Sequence, residues 1–182
     1  MKRIIQSMED KYLNPSLDMV RRTFTDYENA EEADVVISLI KEIRSMSAYI
    51  PALELIMVDD KDEVIGYAMF SCFHLGGKYQ DELLLLSPVA VKTELQRQHI
   101  SKELIEYGFE KAAEMGYSAV LVEGNPQNYR SRGFQTSAAF GIIAAESVGL
   151  PAPECLMVKE LQHGALEHVS GAVDYSDYKA LR

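Results

Sequence analysis

Tryptophan is absent from this sequence of 182 residues, and cysteine nearly so, with only Cys72 and Cys155 present. Two cysteines cannot build a disulfide framework, and no Cys-x-x-Cys or Cys/His spacing indicates a zinc site. No apolar run approaches the roughly 20 residues that cross a bilayer, and no long apolar segment of a secretory signal follows Met1. These absences predict a cytoplasmic protein with no metal site and no membrane partner.

Positive charge is also scarce in the sequence. There are 18 Lys and Arg residues against 28 Asp and Glu residues, which gives a formal net charge of −10. A surface that binds nucleic acid is usually basic, so nucleic acid is not an expected partner. An acidic protein suits a cationic substrate such as an amine. Lys92, Arg97 and Lys102 flank one turn and would give an anionic ligand local positive charge, although each is equally typical of a solvated surface.

The first half of the chain predicts two helices followed by a meander of strands. Apolar residues recur at helical spacing from Ser16 onward and again over residues 30–46. Strands are expected over 53–58 and 64–73, joined by a turn at 59–62. A chain of this length is expected to form one domain with a substantial core.

The second half predicts a strand, a helix and a second strand in succession. A near-continuous apolar strand over 83–91 is typical of a central position covered on both faces, and Pro88 within it predicts a bulge. A helix over 100–115 and a strand over 118–122 follow. This order implies a parallel crossover and a mixed α/β sheet. The last strand is expected over 156–161.

The turn between the first of these strands and its helix reads Gln96-Arg97-Gln98-His99-Ile100-Ser101. A helix N-terminus exposes free backbone N–H groups and a partial positive charge, which together bind anions. Further along, Asn125-Pro126 predicts the start of a short helix with Asn125 as its N-cap, leading into Tyr129-Arg130-Ser131-Arg132-Gly133-Phe134. We therefore expect a phosphorylated cofactor at the turn.

In order and spacing, the block from Leu83 to Phe134 resembles the GNAT superfamily of N-acetyltransferases, whose members bind acetyl-coenzyme A. The resemblance covers about residues 1–162, which it implies form an N-acetyltransferase-like domain, and it leaves residues 163–182 as a C-terminal tail. It implies an α/β fold in which helices flank a mixed, mostly antiparallel central sheet with one splayed parallel strand pair. The bacterial members that the chain is similar to have poorly defined substrates, so the resemblance does not name the acceptor.

The resemblance also implies which residues hold acetyl-CoA. Members carry Gln/Arg-x-x-Gly-x-Gly/Ala at the turn, and here Gln96 matches while His99 and Ser101 replace the two small residues. Main-chain groups of the bulged strand bind the pantetheine arm and face the thioester. The implied cofactor residues are Val89, Ala90 and Val91 in the strand, Gln96, Arg97, Gln98, His99, Ile100, Ser101 and Lys102 in the turn, and Asn125, for which capping is the favoured role.

Tyr129, four residues before Gly133-Phe134, is the catalytic acid that the resemblance implies. A phenol with an ordinary pKa of about 10 is protonated at neutral pH and can protonate a leaving thiolate. The alternative is a ring that only packs. Glu123 follows a strand end where ligands collect in α/β sheets, which makes it a candidate general base. Glu54 begins another strand and is a second candidate, although a solvated carboxylate is the commoner role for both.

The sequence and the resemblance together predict an acetyl-CoA-dependent N-acyltransferase. The acetyl group would move to a primary amine, on a small molecule or a peptide N-terminus, by direct attack in a ternary complex. A non-catalytic acyl-CoA-binding or regulatory module on the same fold is the alternative, motivated by His99 and Ser101. A third possibility is a structural or partner-binding protein whose tail docks elsewhere. A homodimer is compatible with the sequence, and the acceptor depends on loops around 26–32, 74–81 and 135–155.

Overall fold

A computed structural model describes all 182 residues, Met1–Arg182, as an α/β fold. The helices are α1 (Leu13–Tyr27), α2 (Ala30–Arg44), α3 (Ile100–Glu114) and the short α4 (Pro126–Tyr129). The strands are β1 (Arg3–Ser7), β2 (Glu54–Asp59), β3 (Val64–Leu75), β4 (Lys78–Val91), β5 (Ala119–Glu123), β6 (Gln135–Thr136), β7 (Ile142–Ala144), β8 (Leu156–Glu160) and β9 (Gly171–Val173). The main sheet has the order β1-β2-β3-β4-β5-β8-β6, and β7 pairs with β9 separately.

Helices α1 and α2 cover one face of the main sheet, and α3 covers the other. Alternation along β2 shows this division, since Ile56 and Val58 join the cluster under α1 and α2 while Leu55 and Met57 join the cluster under α3. Both faces are therefore apolar, as the continuous hydrophobic strands predict. No helix is both long and apolar enough to cross a membrane.

Local signals account for the helix ends. Asn29 caps α2 by accepting a hydrogen bond from the Glu32 N–H at 2.8 Å, and the first turn of α2 is acidic while its last turn is basic. The helix ends at Arg44, two residues before the expected end. Helix α1 begins at Leu13 rather than Ser16, because a short 3₁₀ turn leads directly into it.

The parallel pair at the centre of the sheet is short. Strands β4 and β5 pair only from Leu83↔Ala119 to Leu85↔Leu121. Beyond this point β4 continues with β3 and β5 continues with β8, so the two parallel strands separate at their carboxyl ends. The remaining pairs of the main sheet are antiparallel. The expected fold class, a mostly antiparallel sheet with one splayed parallel pair, is confirmed.

A bulge in β4 lies just before the separation of the strands. Phe70 pairs with Leu86 and Ala68 pairs with Val89, so β4 uses one residue more than β3 between the two pairs. The extra residue falls at the cis Ser87-Pro88 step. A proline cannot donate to the ladder, which explains why the pairing slips here. The bulge expected from Pro88 is confirmed.

Two glycines let α3 approach the sheet closely. A Cβ atom added at Gly66 would lie 2.7 Å from Ile100 Cγ2, and one added at Gly108 would lie 2.3 Å from Phe70 Cε2. Real side chains do not tolerate contacts this short, so α3 can pack this close to the sheet only with glycine at both positions. The seating of α3 fixes where its N-terminus meets the end of β4.

The C-terminal residues after 162 pack onto the domain. Leu166, Val169, Val173 and Tyr178 are each no more than 3% exposed and belong to the cluster under α1 and α2. The sequence predicts an extended tail with some apolar content from about His163 onward. Burial of these four side chains is what holds the segment in place. The division of the chain at residue 162 stays a prediction.

Candidate active site

The turn before α3 presents a run of free backbone donors. The first hydrogen bond of α3 runs from the Glu103 N–H to the His99 carbonyl at 2.9 Å. The N–H groups of residues 97–102 have no hydrogen-bond partner within the protein. Six consecutive unpaired donors at the positive end of a helix dipole are suited to bind an anion.

His99 follows the backbone path that a glycine would take. Its φ is +64°, in the left-handed region, and it occupies the N-cap position of α3. The imidazole is exposed to solvent. A left-handed conformation costs a non-glycine residue roughly 1–2 kcal/mol. Arg97 has a similar φ of +63°. His99 therefore has a backbone conformation that glycine adopts at lower cost, and it adds local strain to the turn.

Side chains from distant segments hold the turn. Arg3 donates from Nη1 to the Gln98 carbonyl at 3.0 Å and from Nη2 to Gln98 Oε1 at 2.9 Å. Of the three basic residues near the turn, Lys92 pairs with Glu63 at 2.7 Å and Lys102 lies 3.8 Å from Glu106. Its hydrogen bond to Glu63 raises the pKa of Lys92. Arg97 makes no ion pair within the protein.

The backbone of β4 has exposed groups where β5 has diverged. The Lys92 N–H donates a hydrogen bond to the Ile65 carbonyl at 3.0 Å. Hydrogen-bonded and non-hydrogen-bonded residues alternate along an antiparallel strand, so the main-chain groups of Ala90 also point toward β3. Val89 and Val91 then point their main-chain groups toward the opposite edge. Val89, Ala90 and Val91 are expected to contact the cofactor arm, and the main-chain groups of Val89 and Val91 are directed into the opening between β4 and β5.

The carbonyl of Val91 already has partners. Thr23 Oγ1 donates to it at 3.2 Å, and Gln96 Nε2 lies 3.5 Å away. The Gln96 side chain therefore connects the turn to the strand that precedes it. The groups of this segment that remain for a ligand are the main chain of Val89 and the N–H of Val91.

Tyr129 lies at the end of α4, half-buried, with its hydroxyl making no hydrogen bond within the protein. Its ring packs edge-on against Phe134, with 5.6 Å between the ring centroids. A Cβ atom at Gly124 would lie 2.5 Å from Tyr129 Cε2, so only glycine lets the ring sit here. Burial raises the pKa of Tyr129 and the Arg132 charge opposes that shift, so the phenol keeps its proton at neutral pH.

Arg132 connects Tyr129 to the turn. Its Nη2 donates to Ser101 Oγ at 2.7 Å, its guanidinium carbon lies 5.9 Å from the centroid of the Tyr129 ring, and its Nε is buried without a partner. Arg132 also donates to the Asn128 carbonyl. A guanidinium here adds positive charge beside the free N–H groups of the turn.

A cavity of about 770 Å³ opens on the face of the sheet that α1 and α2 cover. Glu123 enters it from the end of β5, and its Oε2 accepts a hydrogen bond from Tyr175 Oη at 2.8 Å. The wall combines segments far apart in the chain, among them Phe24, Glu32, Ser87, Glu123, Asp174 and Tyr175. The cavity thus meets the opening between β4 and β5 at Ser87 and Glu123.

Comparison with known proteins decides the family. The model of the Acetyltransferase (GNAT) family matches residues 17–140, more than half of the chain. This chain belongs to the GNAT acetyltransferase family. The family and the enzyme class expected from the sequence are confirmed.

Two relatives resemble this GNAT protein over nearly its whole length. The uncharacterized N-acetyltransferase YhbS of Escherichia coli K12 is 28% identical over 166 residues, which is 90% of this chain and 91% of the relative. The crystal structure of Escherichia coli YhbS in complex with CoA matches with a TM-score of 0.82 and 25% identity, covering 98% of this chain and 92% of that one. A GNAT family acetyltransferase from Brucella melitensis, in complex with acetyl-CoA, has a TM-score of 0.74 over 100% of this chain and 99% of that one. At 20% identity it shows the fold alone.

Two polar residues of the GNAT domain have structural roles. Asn125 caps α4 by accepting a hydrogen bond from the Gln127 N–H at 2.9 Å, the role that the sequence favours. Glu54 is fully buried, and its carboxylate accepts hydrogen bonds from Tyr67 at 2.6 Å, Tyr49 at 2.7 Å and Arg44 at 2.9 Å. Burial, followed by the Glu54 charge, raises the pKa of Tyr67 well above its ordinary value. With these partners Glu54 is a structural carboxylate outside the cavity.

Sequence reasoning missed several residues that shape the GNAT site. Arg3 lies 95 residues before its partner Gln98, and Tyr175 lies 52 residues after its partner Glu123. No local sequence pattern marks either residue. Arg132 did carry a signal, since it directly precedes Gly133-Phe134 in the segment that contains Tyr129. A basic residue beside the candidate acid could have been read as a phosphate ligand.

Proposed function

We propose that this GNAT protein is an acetyl-CoA-dependent N-acetyltransferase that moves an acetyl group to a primary amine by direct attack in a ternary complex. The observation that carries the proposal is the run of free N–H groups over residues 97–102 where β4 leads into α3. Unpaired donors at a helix N-terminus match the charge of a pyrophosphate. The CoA complex of YhbS supports this choice of ligand.

The residues around the turn fit the rest of coenzyme A. Ser101 is small and carries a hydroxyl, and Arg132 and Lys102 add positive charge beside it. The Val89 main chain and the Val91 N–H, directed into the opening between β4 and β5, are suited to the amides of the pantetheine arm. One of these N–H groups is also suited to stabilise negative charge on a thioester oxygen.

Two side chains are assigned to proton transfer. Acetyl-CoA supplies the acetyl thioester, whose carbonyl carbon forms the new C–N bond as its C–S bond breaks. Glu123 takes a proton from the incoming ammonium, which frees the nitrogen lone pair. Tyr129 gives its proton to the departing sulfur and regains one from the acylated nitrogen, while Glu123 passes its proton to solvent. The net products are the N-acetyl amine, free thiol and one proton.

Two experiments test the proposal in sequence. Calorimetry with CoA and acetyl-CoA should show binding, and failure to bind either would remove the assigned function. A thiol-release screen with acetyl-CoA against polyamines, aminoglycosides, amino acids and peptide N-termini should then find an acceptor. Binding without transfer to any amine would favour a non-catalytic acyl-CoA-binding module. We place the enzyme in the cytoplasm and expect a small-molecule amine or a peptide N-terminus as its acceptor.

A further inference from the structure

The last residues of the chain line the cavity that contains Glu123. These residues, 174–182, are called here the C-terminal wall, and Asp174, Tyr175, Ser176, Leu181 and Arg182 face the cavity. The wall lies beyond residue 140, where the match to the family model ends.

Tyr175 is placed to hold Glu123 in one orientation. Its hydroxyl donates to Glu123 Oε2 at 2.8 Å. Its ring lies 6.2 Å from the ring of Phe73 and 6.4 Å from that of Tyr178, so packing fixes it from two sides. Burial, followed by the Glu123 charge, raises the pKa of Tyr175, which therefore remains a donor at neutral pH. Glu123 itself is exposed and has no other hydrogen-bond partner to orient it.

The C-terminal wall is anchored to the rest of the fold. The Glu42 carboxylate on α2 accepts hydrogen bonds from the N–H groups of Lys179 at 2.8 Å and Ala180 at 2.9 Å. These two bonds lower the pKa of Glu42. On the other side, His74 Nε2 on β3 lies 2.6 Å from Asp177 Oδ2. Contacts from both a helix and a strand make the wall a fixed surface.

The charges that line the cavity favour a cation. Glu32, Glu123 and Asp174 come from α2, β5 and the C-terminal wall, and the carboxylate of Asp174 stays ionised because hydrogen bonds from Ser176 lower its pKa. The only basic residue of the lining is Arg182, whose Nε and Nη2 donate to the Ser176 carbonyl at 3.2 and 2.5 Å. The lining thus offers three carboxylates against one guanidinium.

We propose that the C-terminal wall completes the acceptor site, where Tyr175 positions Glu123 to receive the ammonium group of a small amine with more than one positive charge. The inference rests on the proposed function, since it assigns the acceptor side of the same site. Tyr175 is a positioning residue and acts through Glu123. A cavity of about 770 Å³ is large enough for a polyamine, and spermidine serves as the probe.

The first test is a double-mutant cycle with spermidine as acceptor. Tyr175→Phe keeps the ring and should raise the KM for spermidine about fivefold or more, with acetyl-CoA affinity unchanged. In a Glu123→Gln background, which lacks the general base, the same change should alter the calorimetric affinity for spermidine less than twofold, because Tyr175 has no carboxylate to position. The matched control is Tyr178→Phe, a tyrosine of the same wall without a bond to Glu123. Equal effects of Tyr175→Phe in both backgrounds would overturn the positioning role.

A second test needs no turnover and separates this inference from the proposed function. Spermidine is titrated calorimetrically into the wild type, Tyr175→Phe, Glu123→Gln and Tyr178→Phe proteins, with urea denaturation to verify that each is folded. Weaker spermidine binding in Tyr175→Phe and Glu123→Gln, with wild-type binding in Tyr178→Phe, supports the inference. Absent binding to the wild type, or equal binding to all four, overturns it. In contrast, the proposed function fails if acetyl-CoA does not bind or no amine releases its thiol.

Discussion

The turn before α3 and the cavity beside Glu123 meet at the opening between β4 and β5, but they are built from different material. The turn offers backbone N–H groups from six consecutive residues, 97–102, and the helix dipole gives it a partial positive charge. The cavity offers side chains from α1, α2, β4, β5 and the C-terminal wall, and its charge is negative. One surface thus suits an anionic cofactor and the other a cationic acceptor.

This difference determines how each surface responds to substitution. A backbone site survives side-chain changes as long as the chain keeps its path, as His99 illustrates by adopting a φ of +64° in place of glycine. A side-chain site changes its specificity with every lining residue. We therefore expect substitutions at the turn to act mainly on cofactor affinity, and substitutions around Glu123 and Tyr129 to act on turnover and acceptor choice. Four variants break or sharpen this contrast.

Tyr129→Phe should have the largest effect, a fall in turnover number of roughly 10- to 1000-fold, because it removes one hydroxyl and keeps the packed ring. Stability and acetyl-CoA affinity should change little, since that hydroxyl makes no hydrogen bond within the protein. Steady-state kinetics with an acceptor from the thiol-release screen, together with calorimetry, measure both quantities. An unchanged turnover number with chemistry rate-limiting would leave water or a backbone group as the acid.

Ser101→Glu should weaken CoA binding roughly 10- to 100-fold, about 1.4–2.7 kcal/mol, by placing a bulky negative charge among the free N–H groups. The new carboxylate would also compete for Arg132, which now donates to Ser101 Oγ. Ser101→Gln has the same bulk without the charge and separates the two causes. Calorimetry on folded proteins is the measurement, and wild-type affinity in Ser101→Glu would place the pyrophosphate elsewhere.

The same contrast explains what could be predicted from sequence. The turn is local, so strand, turn and helix signals within residues 83–115 were enough to place it, and Pro88 marked the bulge. The parallel pairing of β4 with β5 follows from the same local pattern and the crossover rule, whereas the place of β8 between β5 and β6 has no local signal. The cavity is not local. Its wall joins Phe24 to Tyr175, and no periodicity links residues so far apart, so the C-terminal wall could be seen only in the folded chain.

Arg132→Gln should weaken CoA binding about 5- to 10-fold, because it removes a charged donor beside the anion site while keeping a side chain that can reach Ser101. Arg130 is the matched control, being an exposed arginine two residues away with no hydrogen bond to the turn. Calorimetry at two salt concentrations should show a smaller salt dependence for Arg132→Gln than for Arg130→Gln. Equal losses in both variants would indicate a general charge effect and no specific contact.

His99→Gly should have the smallest effect on the cofactor, with acetyl-CoA affinity equal or improved, because the exposed imidazole leaves the N–H groups free. Glycine adopts the left-handed conformation without the steric cost, which stabilises the folded state. The greater entropy of the unfolded chain offsets part of this gain, so the free energy of unfolding should rise by about 0.5–1 kcal/mol. Urea denaturation measures this change and calorimetry measures the affinity.

His99→Ala provides the control for that variant, since it removes the ring but keeps a Cβ atom and therefore keeps the strain at φ +64°. Affinity should stay constant in both variants, whereas stability should rise only in His99→Gly. A tenfold loss of acetyl-CoA affinity in both, about 1.4 kcal/mol, would show that the imidazole contacts the cofactor. The turn would then depend on a side chain as the cavity does, and the distinction between a backbone surface and a side-chain surface would fail at this residue.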